Sequence, residues 1–142
     1  MTGKIQTFLL LAIFGLSCCN SSQQNSTVNE TSESSEEANE WPAMDEFHMI
    51  MAESFHPYMD SGNLEPAKKN AEEIASMAKA WTMAPLPSRV DNENVKQKLA
   101  ELVSESKLLV KTKNEGTDQE MGVKLNHLHD IFHEIQDEWY GQ

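Results

Sequence analysis

The chain has 142 residues, a length that fits one small domain. Acidic side chains outnumber Lys and Arg by 23 to 11, so the formal net charge is −12. This balance argues against a nucleic acid as a partner, because binding to phosphates depends on an excess of Lys and Arg. No stretch reaches the roughly 18 consecutive apolar residues that a membrane-spanning helix requires.

The N-terminal segment, residues 1–17, has the parts of a secretory signal peptide. Lys4 lies in a short basic head, an apolar run covers residues 5–16, and Ser17 precedes Cys18 and Cys19. The end of this segment resembles the lipobox of bacterial lipoproteins, in which a small residue precedes the cysteine that is acylated. Cys18 fits that pattern best, and Cys19 is the alternative. The other interpretation is an ordinary secretory signal with incidental cysteines.

The lipobox resemblance implies a mature chain that is anchored to a bacterial membrane by acyl groups. Since no Asp follows either cysteine, it also implies sorting to the outer membrane, where the domain faces the periplasm. The lipid bilayer is therefore an expected partner. Cys18 and Cys19 are the only cysteines of the chain, so a disulfide-stabilised core is excluded.

Residues 18–40 form a polar stretch before the domain. Ser, Asn, Gln, Thr and Glu dominate residues 20–40, which contain five acidic residues and no basic one. Such a composition cannot bury enough apolar surface to offset the entropy lost on ordering. We therefore expect a disordered tether that holds the domain away from the membrane.

Residues 41–142 contain four segments with helical periodicity, and they carry 18 acidic against 10 basic side chains. Turn residues end the first three segments: Pro57 and Ser61-Gly62 the first, Pro85 and Pro87 the second, and Gly116 the third. The fourth opens with a capping box, in which the side chains of Thr117 and Glu120 each bond a free backbone N–H of the other. Pro66 suits the first turn of the second helix, where no N–H is needed.

In each segment, apolar or small side chains recur at helical spacing and so form one face. The residues of these faces are Ala67, Ala71, Ile74, Ala78 and Trp81 in the second segment, Val95, Leu99, Leu102, Ser106, Leu109 and Val110 in the third, and Met121, Leu125, Leu128, Phe132, Ile135 and Trp139 in the fourth. No run alternates apolar and polar residues as a half-buried strand would. Short connections favour antiparallel neighbours, so the sequence predicts an all-α, up-down-up-down four-helix bundle.

All five histidines lie in the first and fourth predicted helices: His48, His56, His127, His129 and His133. The apolar face of the first helix is Met44, Phe47, Met51, Phe55 and Tyr58, and His48 lies within about 50° of its centre on a helical wheel. In the fourth helix His129 lies within about 70° of the apolar centre, and His133 lies at the flank. His127 faces the opposite side.

Antiparallel packing of these two helices places His48 near His133 and His56 near His129. One ion could then be bound by His48, His129 and His133, with Met44, Met51 or water as a further ligand. His56 could be another ligand of this ion or form a separate site. Imidazole with thioether suits copper, whereas imidazole alone suits zinc, nickel or haem iron. A partner that exchanges metal or electrons in the periplasm is implied. The alternative is that these histidines are ordinary core residues of an interaction module without a cofactor.

Enzymatic motifs are incomplete, so we expect a protein that is not an enzyme. His129-Asp-Ile-Phe-His133 has Asp130 where the general-base Glu of a zinc-peptidase helix belongs. Glu53 and His56 have the Glu-x-x-His spacing of di-iron bundles, but Glu53 points away from the apolar face, and the second and third helices offer no inward Glu. No Cys or Ser nucleophile is paired with a base.

The predicted bundle resembles the cytochrome c-prime and b562 type of haem protein. In b562, haem lies between the first and fourth helices, and that resemblance implies Met44 or His48 with His129 or His133 as ligands of a non-covalent haem. The Cys-x-x-Cys-His attachment motif is absent, so covalent haem is excluded.

Four short motifs also resemble a family of small bacterial lipoproteins, which implies location and fold but not activity: Phe47-His48, Phe55-His56-Pro57, Leu128-His129-Asp130 and Phe132-His133.

Overall fold

The computed structural model of the chain describes residues 40–141. Within this range it contains four helices and no strand: α1 Pro42–Ser61, α2 Glu65–Met83, α3 Glu93–Glu115 and α4 Asp118–Tyr140. The predicted all-α four-helix bundle is thus confirmed. The predicted signal peptide, the acylation site at Cys18 or Cys19, and the tether up to residue 39 lie outside the described residues. None of the four helices is long and apolar enough to cross a membrane.

The end of α1 lies at Ser61, and Pro57 does not end the helix as we predicted. Gly62 stops it by adopting a left-handed conformation, φ 71°, which glycine takes without steric cost. Pro57 lies inside the last turns of α1. A proline removes one backbone hydrogen bond of the helix, here the bond to the carbonyl of Glu53. Residue 53 is exposed, so water can bond that carbonyl, and the helix continues.

The other helix ends follow the predicted signals. Pro66 lies in the first turn of α2. The side chain of Asn92 caps α3 by accepting a hydrogen bond from the Val95 N–H at 2.9 Å. The capping box of α4 is present, because Thr117 Oγ1 accepts from the Glu120 N–H and Glu120 Oε2 accepts from the Thr117 N–H. These caps bond N–H groups that a helix leaves without internal partners.

Contacts between helix ends show that neighbours run in opposite directions. Lys113 near the end of α3 binds Glu72 in the first half of α2 at 2.7 Å. Asn94 at the start of α3 donates to Glu138 near the end of α4 at 2.7 Å. The chain therefore runs up, down, up and down.

The predicted faces of α2, α3 and α4 form the core, and every residue of them is buried except Val110, which is half-buried. Three tryptophans meet at one end of the bundle, where Trp41 packs edge-on against Trp81 at 5.1 Å and lies 5.6 Å from Trp139. The single arginine, Arg89, caps this cluster 4.4 Å above the Trp139 ring. Consecutive helices pack more extensively than α1 packs against α4.

Candidate metal centre in the α1–α4 seam

Two reciprocal ring stacks join α1 to α4. His48 of α1 stacks on Phe132 of α4 with 5.2 Å between ring centroids, and His129 of α4 stacks on Phe55 of α1 at 3.6 Å. Each helix thus contributes one Phe and one His. We call these four residues the α1–α4 seam. The two stacks define the register of the two helices. His48 in the first half of α1 lies level with Phe132 in the second half of α4, as antiparallel packing requires.

His129 and His133 form a close pair on α4. They are four residues apart, so both side chains leave the same face of the helix. Their Nε2 atoms are 3.0 Å apart, and their ring centroids are 4.3 Å apart. At this distance one Nε2 donates a hydrogen bond and the other accepts it, which neutral imidazoles of opposite tautomers can do. The pair is therefore assembled without a metal.

The environment of His129 keeps its ring neutral. Its pKa is lowered from 6.5 to about 4, first by burial and second by the charge that His133 would carry. His56 and His48 act in the same direction, while the Asp130 carboxylate, 4.0 Å from Nδ1, opposes them. A coordinating imidazole must be neutral, so His129 is ready to bind a metal even in mildly acidic surroundings.

The spacing of the pair suits two ligands of one ion. Metal–nitrogen bonds of about 2.0–2.1 Å at angles between 90° and the tetrahedral value separate the two nitrogens by about 2.9–3.4 Å. The observed 3.0 Å lies within that interval. Among residues 40–141, however, no group of three or more His, Cys, Asp or Glu is arranged to hold a metal ion. The structure therefore brings two imidazoles to the separation that one ion requires. The ring that donates the hydrogen bond has to change tautomer before both Nε2 atoms can coordinate, and a third protein ligand has to come from a side chain that moves.

The α1 histidines are the nearest candidates for that third ligand. His48 and His56 are both exposed, and both influence the charge on His129. The helical wheel placed His48 well inside the apolar face, which is wrong. Ser54 and Ile50 extend the buried face of α1 toward α2, where Asn70 donates to Ser54 Oγ at 3.2 Å. His48 consequently lies at the edge of the buried face.

The remaining predicted ligands separate into core and surface. Met44 and Met51 are 2% and 1% exposed and belong to the core, whereas His129 is half-buried and His133 is exposed. The Met thioethers are therefore not placed to support an ion at this pair. His127 is exposed, as the wheel predicts.

Met44 does not fit a b562-type ligand pair with the histidines of α4. Two axial ligands of one haem iron must lie at the same level of the bundle. His129 stacks on Phe55, which is 11 residues and so about 16 Å along α1 from Met44. Met44 lies closer to the level of His133, but it is buried while His133 is exposed. Met44 and His129 therefore do not lie at a common level. Met44 and His133 do not face a common cavity, and haem ligation requires both.

The aromatic supports of the site were missed in the sequence. Phe55 and Phe132 were assigned to the core alone, yet each also carries a histidine ring on its face. The repeated Phe-His dipeptides were the available signal.

Comparison of the chain with protein-family models, with curated proteins and with solved structures finds no match.

Proposed function

We propose that this protein is a metal-binding lipoprotein of the bacterial cell envelope. It binds one Zn²⁺, Cu²⁺ or Ni²⁺ ion reversibly through His129 and His133, with a third imidazole from α1. The observation that carries the proposal is the 3.0 Å separation of the two Nε2 atoms. Imidazole nitrogen is a good ligand for each of these ions, and the set contains no thiolate that would narrow the choice further.

The first ligand of this site is preorganised. His129 is held flat against Phe55, and its side chain is only 23% exposed. The ring therefore loses little freedom when it coordinates an ion, and ligands held in position bind more tightly than ligands that must be ordered. His133 is exposed and packs edge-on against Phe132 at 5.6 Å, so it can adjust to the ion.

Binding at an exposed seam suits sequestration, sensing or delivery better than turnover. Two cavities of residues 40–141 lie at the turn between α3 and α4 and beside Trp41, and no histidine lines either of them. An ion at the seam is accessible to water and to a partner protein. A site with exchangeable ligands on its open side can pass its ion on.

The location of the protein completes the proposal. The lipobox-like sequence supports acylation at Cys18, or at Cys19, and retention at the outer membrane facing the periplasm. Residues 18–40 would then let the domain reach ions and a periplasmic partner some distance from the bilayer. Mass spectrometry of the N-terminal peptide from bacterial membranes tests this directly, since the proposal requires an acylated cysteine.

Calorimetric titration with Zn²⁺, Cu²⁺ and Ni²⁺ tests the metal site. The mature chain from residue 18 is used, with Cys18→Ser and Cys19→Ser so that thiols do not bind the ions. We expect one ion per chain, and a loss of affinity of about 100-fold or more when His129→Ala and His133→Ala are combined. His127→Ala is the matched control on the same helix and should leave the affinity unchanged.

Two results would contradict the proposal. One is the absence of binding for all three ions, which leaves an interaction module without a metal. The other is an equal loss of affinity in His127→Ala, which would mean that the ion binds elsewhere. A Soret band on addition of haem to the same chain would instead favour a haem carrier.

A further inference from the structure

Ala52 lies on the solvent side of the α1 edge that faces α4. His48 precedes it by four residues and His56 follows it by four, so the three side chains form one row with one helical turn between neighbours. Phe55 follows Ala52 by three residues, which also places it on this edge. A half-buried alanine thus separates two exposed histidines.

The two ring stacks show what Ala52 faces. His48 contacts Phe132, and Phe55 contacts His129, so the segment of α1 between residues 48 and 55 lies against the segment of α4 between residues 129 and 132. Ala52 is in the middle of the first segment. It therefore lies level with the turn of α4 that carries His129 and His133.

The side chain of Ala52 ends at its Cβ, so it fills little of the volume at that level. Its neighbours along the row are imidazole and phenyl rings, which are much larger than a methyl group. We infer that the ion lies over Ala52 and is bound by His129, His133 and His56. This inference rests on the proposed metal-binding function and assigns its third ligand and the residue that makes room for the ion.

Helix geometry favours His56 over His48 as that ligand. Each Cα–Cβ bond of a helix tilts toward the N-terminus of the helix. The side chain of His56 therefore leans back toward the level of Ala52, whereas the side chain of His48 leans away from it. The His48 ring is also stacked on Phe132 and would have to leave that contact. His56 has no such ring contact among the described residues and is exposed, so its ring can turn toward the pair.

The resulting site has three imidazoles and one open position. This set suits borderline divalent ions such as Zn²⁺, Cu²⁺ and Ni²⁺ and selects against Mg²⁺ and Ca²⁺, which prefer oxygen ligands. The open position accepts water or a ligand from a partner protein. Such a site releases its ion by ligand exchange rather than by unfolding.

Zn²⁺ titration of the mature chain with Cys18→Ser and Cys19→Ser tests the placement of the ion. Ala52→Leu fills the space and should weaken Zn²⁺ affinity about tenfold or more. Ala75→Leu is the matched control, because Ala75 is a half-buried alanine on α2, which has no histidine, and it should leave the affinity unchanged. His56→Ala should weaken Zn²⁺ binding by more than His48→Ala does.

The outcomes separate this inference from the function on which it rests. If the starting chain binds no Zn²⁺, the proposed function fails. If it binds Zn²⁺ through His129 and His133 but Ala52→Leu retains the affinity, or if His48→Ala has the larger effect, only the inference is overturned.

If Ala52→Leu does not fold, a second variant tests the placement of the ion. Ala52→Val adds two methyl groups at the same place and should weaken Zn²⁺ binding, by less than is expected for Ala52→Leu. Ala75→Val serves as its control. Unchanged affinity in a folded Ala52→Val chain would overturn the placement of the ion over Ala52.

Discussion

Protonation of His129 should destabilise the fold as the pH falls. Burial against Phe55 and the neighbouring histidines holds its pKa at about 4 in the folded chain, compared with 6.5 for an ordinary histidine. Between these two values the unfolded chain binds a proton that the folded chain does not. The stability contributed by neutral His129 is therefore complete above pH 6.5, is lost as the pH falls toward 4, and falls no further below that.

The size of this loss follows from the shift. One pKa unit corresponds to about 1.4 kcal/mol, so the difference between 6.5 and about 4 gives an upper value of about 3.5 kcal/mol. Because the side chain is 23% exposed, solvent screens part of the effect, and we expect about 1–2 kcal/mol. The carboxylates of this acidic chain also respond to pH, so the effect of His129 must be measured as a difference between variants.

Urea denaturation at pH 7.5 and pH 4.5, followed by far-ultraviolet circular dichroism without metal, measures that difference. The starting chain should lose about 1–2 kcal/mol more of its free energy of unfolding between the two pH values than His129→Gln does. His127→Gln removes an exposed ring of the same helix and should behave like the starting chain. An equal loss in the starting chain and in His129→Gln would refute the assigned environment of His129.

Three further predictions concern the bundle and can be checked by urea or thermal unfolding. A Cβ added at Gly122 would lie 2.5 Å from Tyr58 Oη, so Gly122→Ala should destabilise the chain by about 1 kcal/mol, the clash exceeding the gain in helix propensity; no loss of stability would show that Tyr58 moves freely. Thr117→Ala removes the capping hydroxyl of α4 and should cost about 1 kcal/mol, with an unchanged melting temperature as the contrary result. Ser54→Ala leaves the buried Asn70 amide without its acceptor and should cost about 1–3 kcal/mol, and combining it with Asn70→Leu should recover most of that loss if the cause is the unpaired amide.

The bundle was predictable because its signals are local. Gly62, Gly116 and the Thr117 capping box mark helix ends through backbone conformation and hydrogen bonds within a few residues. The apolar spacing of α2, α3 and α4 indicates which faces are buried. Pro57 was misinterpreted because the cost of a proline inside a helix depends on whether the carbonyl that it leaves free is exposed, and that is a property of the folded chain.

The site was predictable only in part. The spacing of His129 and His133 indicates a shared face, and antiparallel packing brings α1 histidines to it. The predicted apolar face of α1 left out two buried residues, Ile50 and Ser54, so it placed His48 too far inside. Ring stacking on Phe55 depends on the register of two helices that are distant in sequence. No local pattern contains that register.

The most direct test of metal binding at the seam is the imidazole nitrogen spectrum of the chain. Long-range ¹H–¹⁵N correlation spectra resolve the ring nitrogens of all five histidines, and Zn²⁺ is added stepwise to one equivalent at pH 7. Coordination through the Nε2 pair predicts that the Nε2 signals of His129 and His133 move together, while those of His127 stay in place. Unchanged His129 and His133 signals at one equivalent of Zn²⁺ would contradict the assignment of this pair as the metal site.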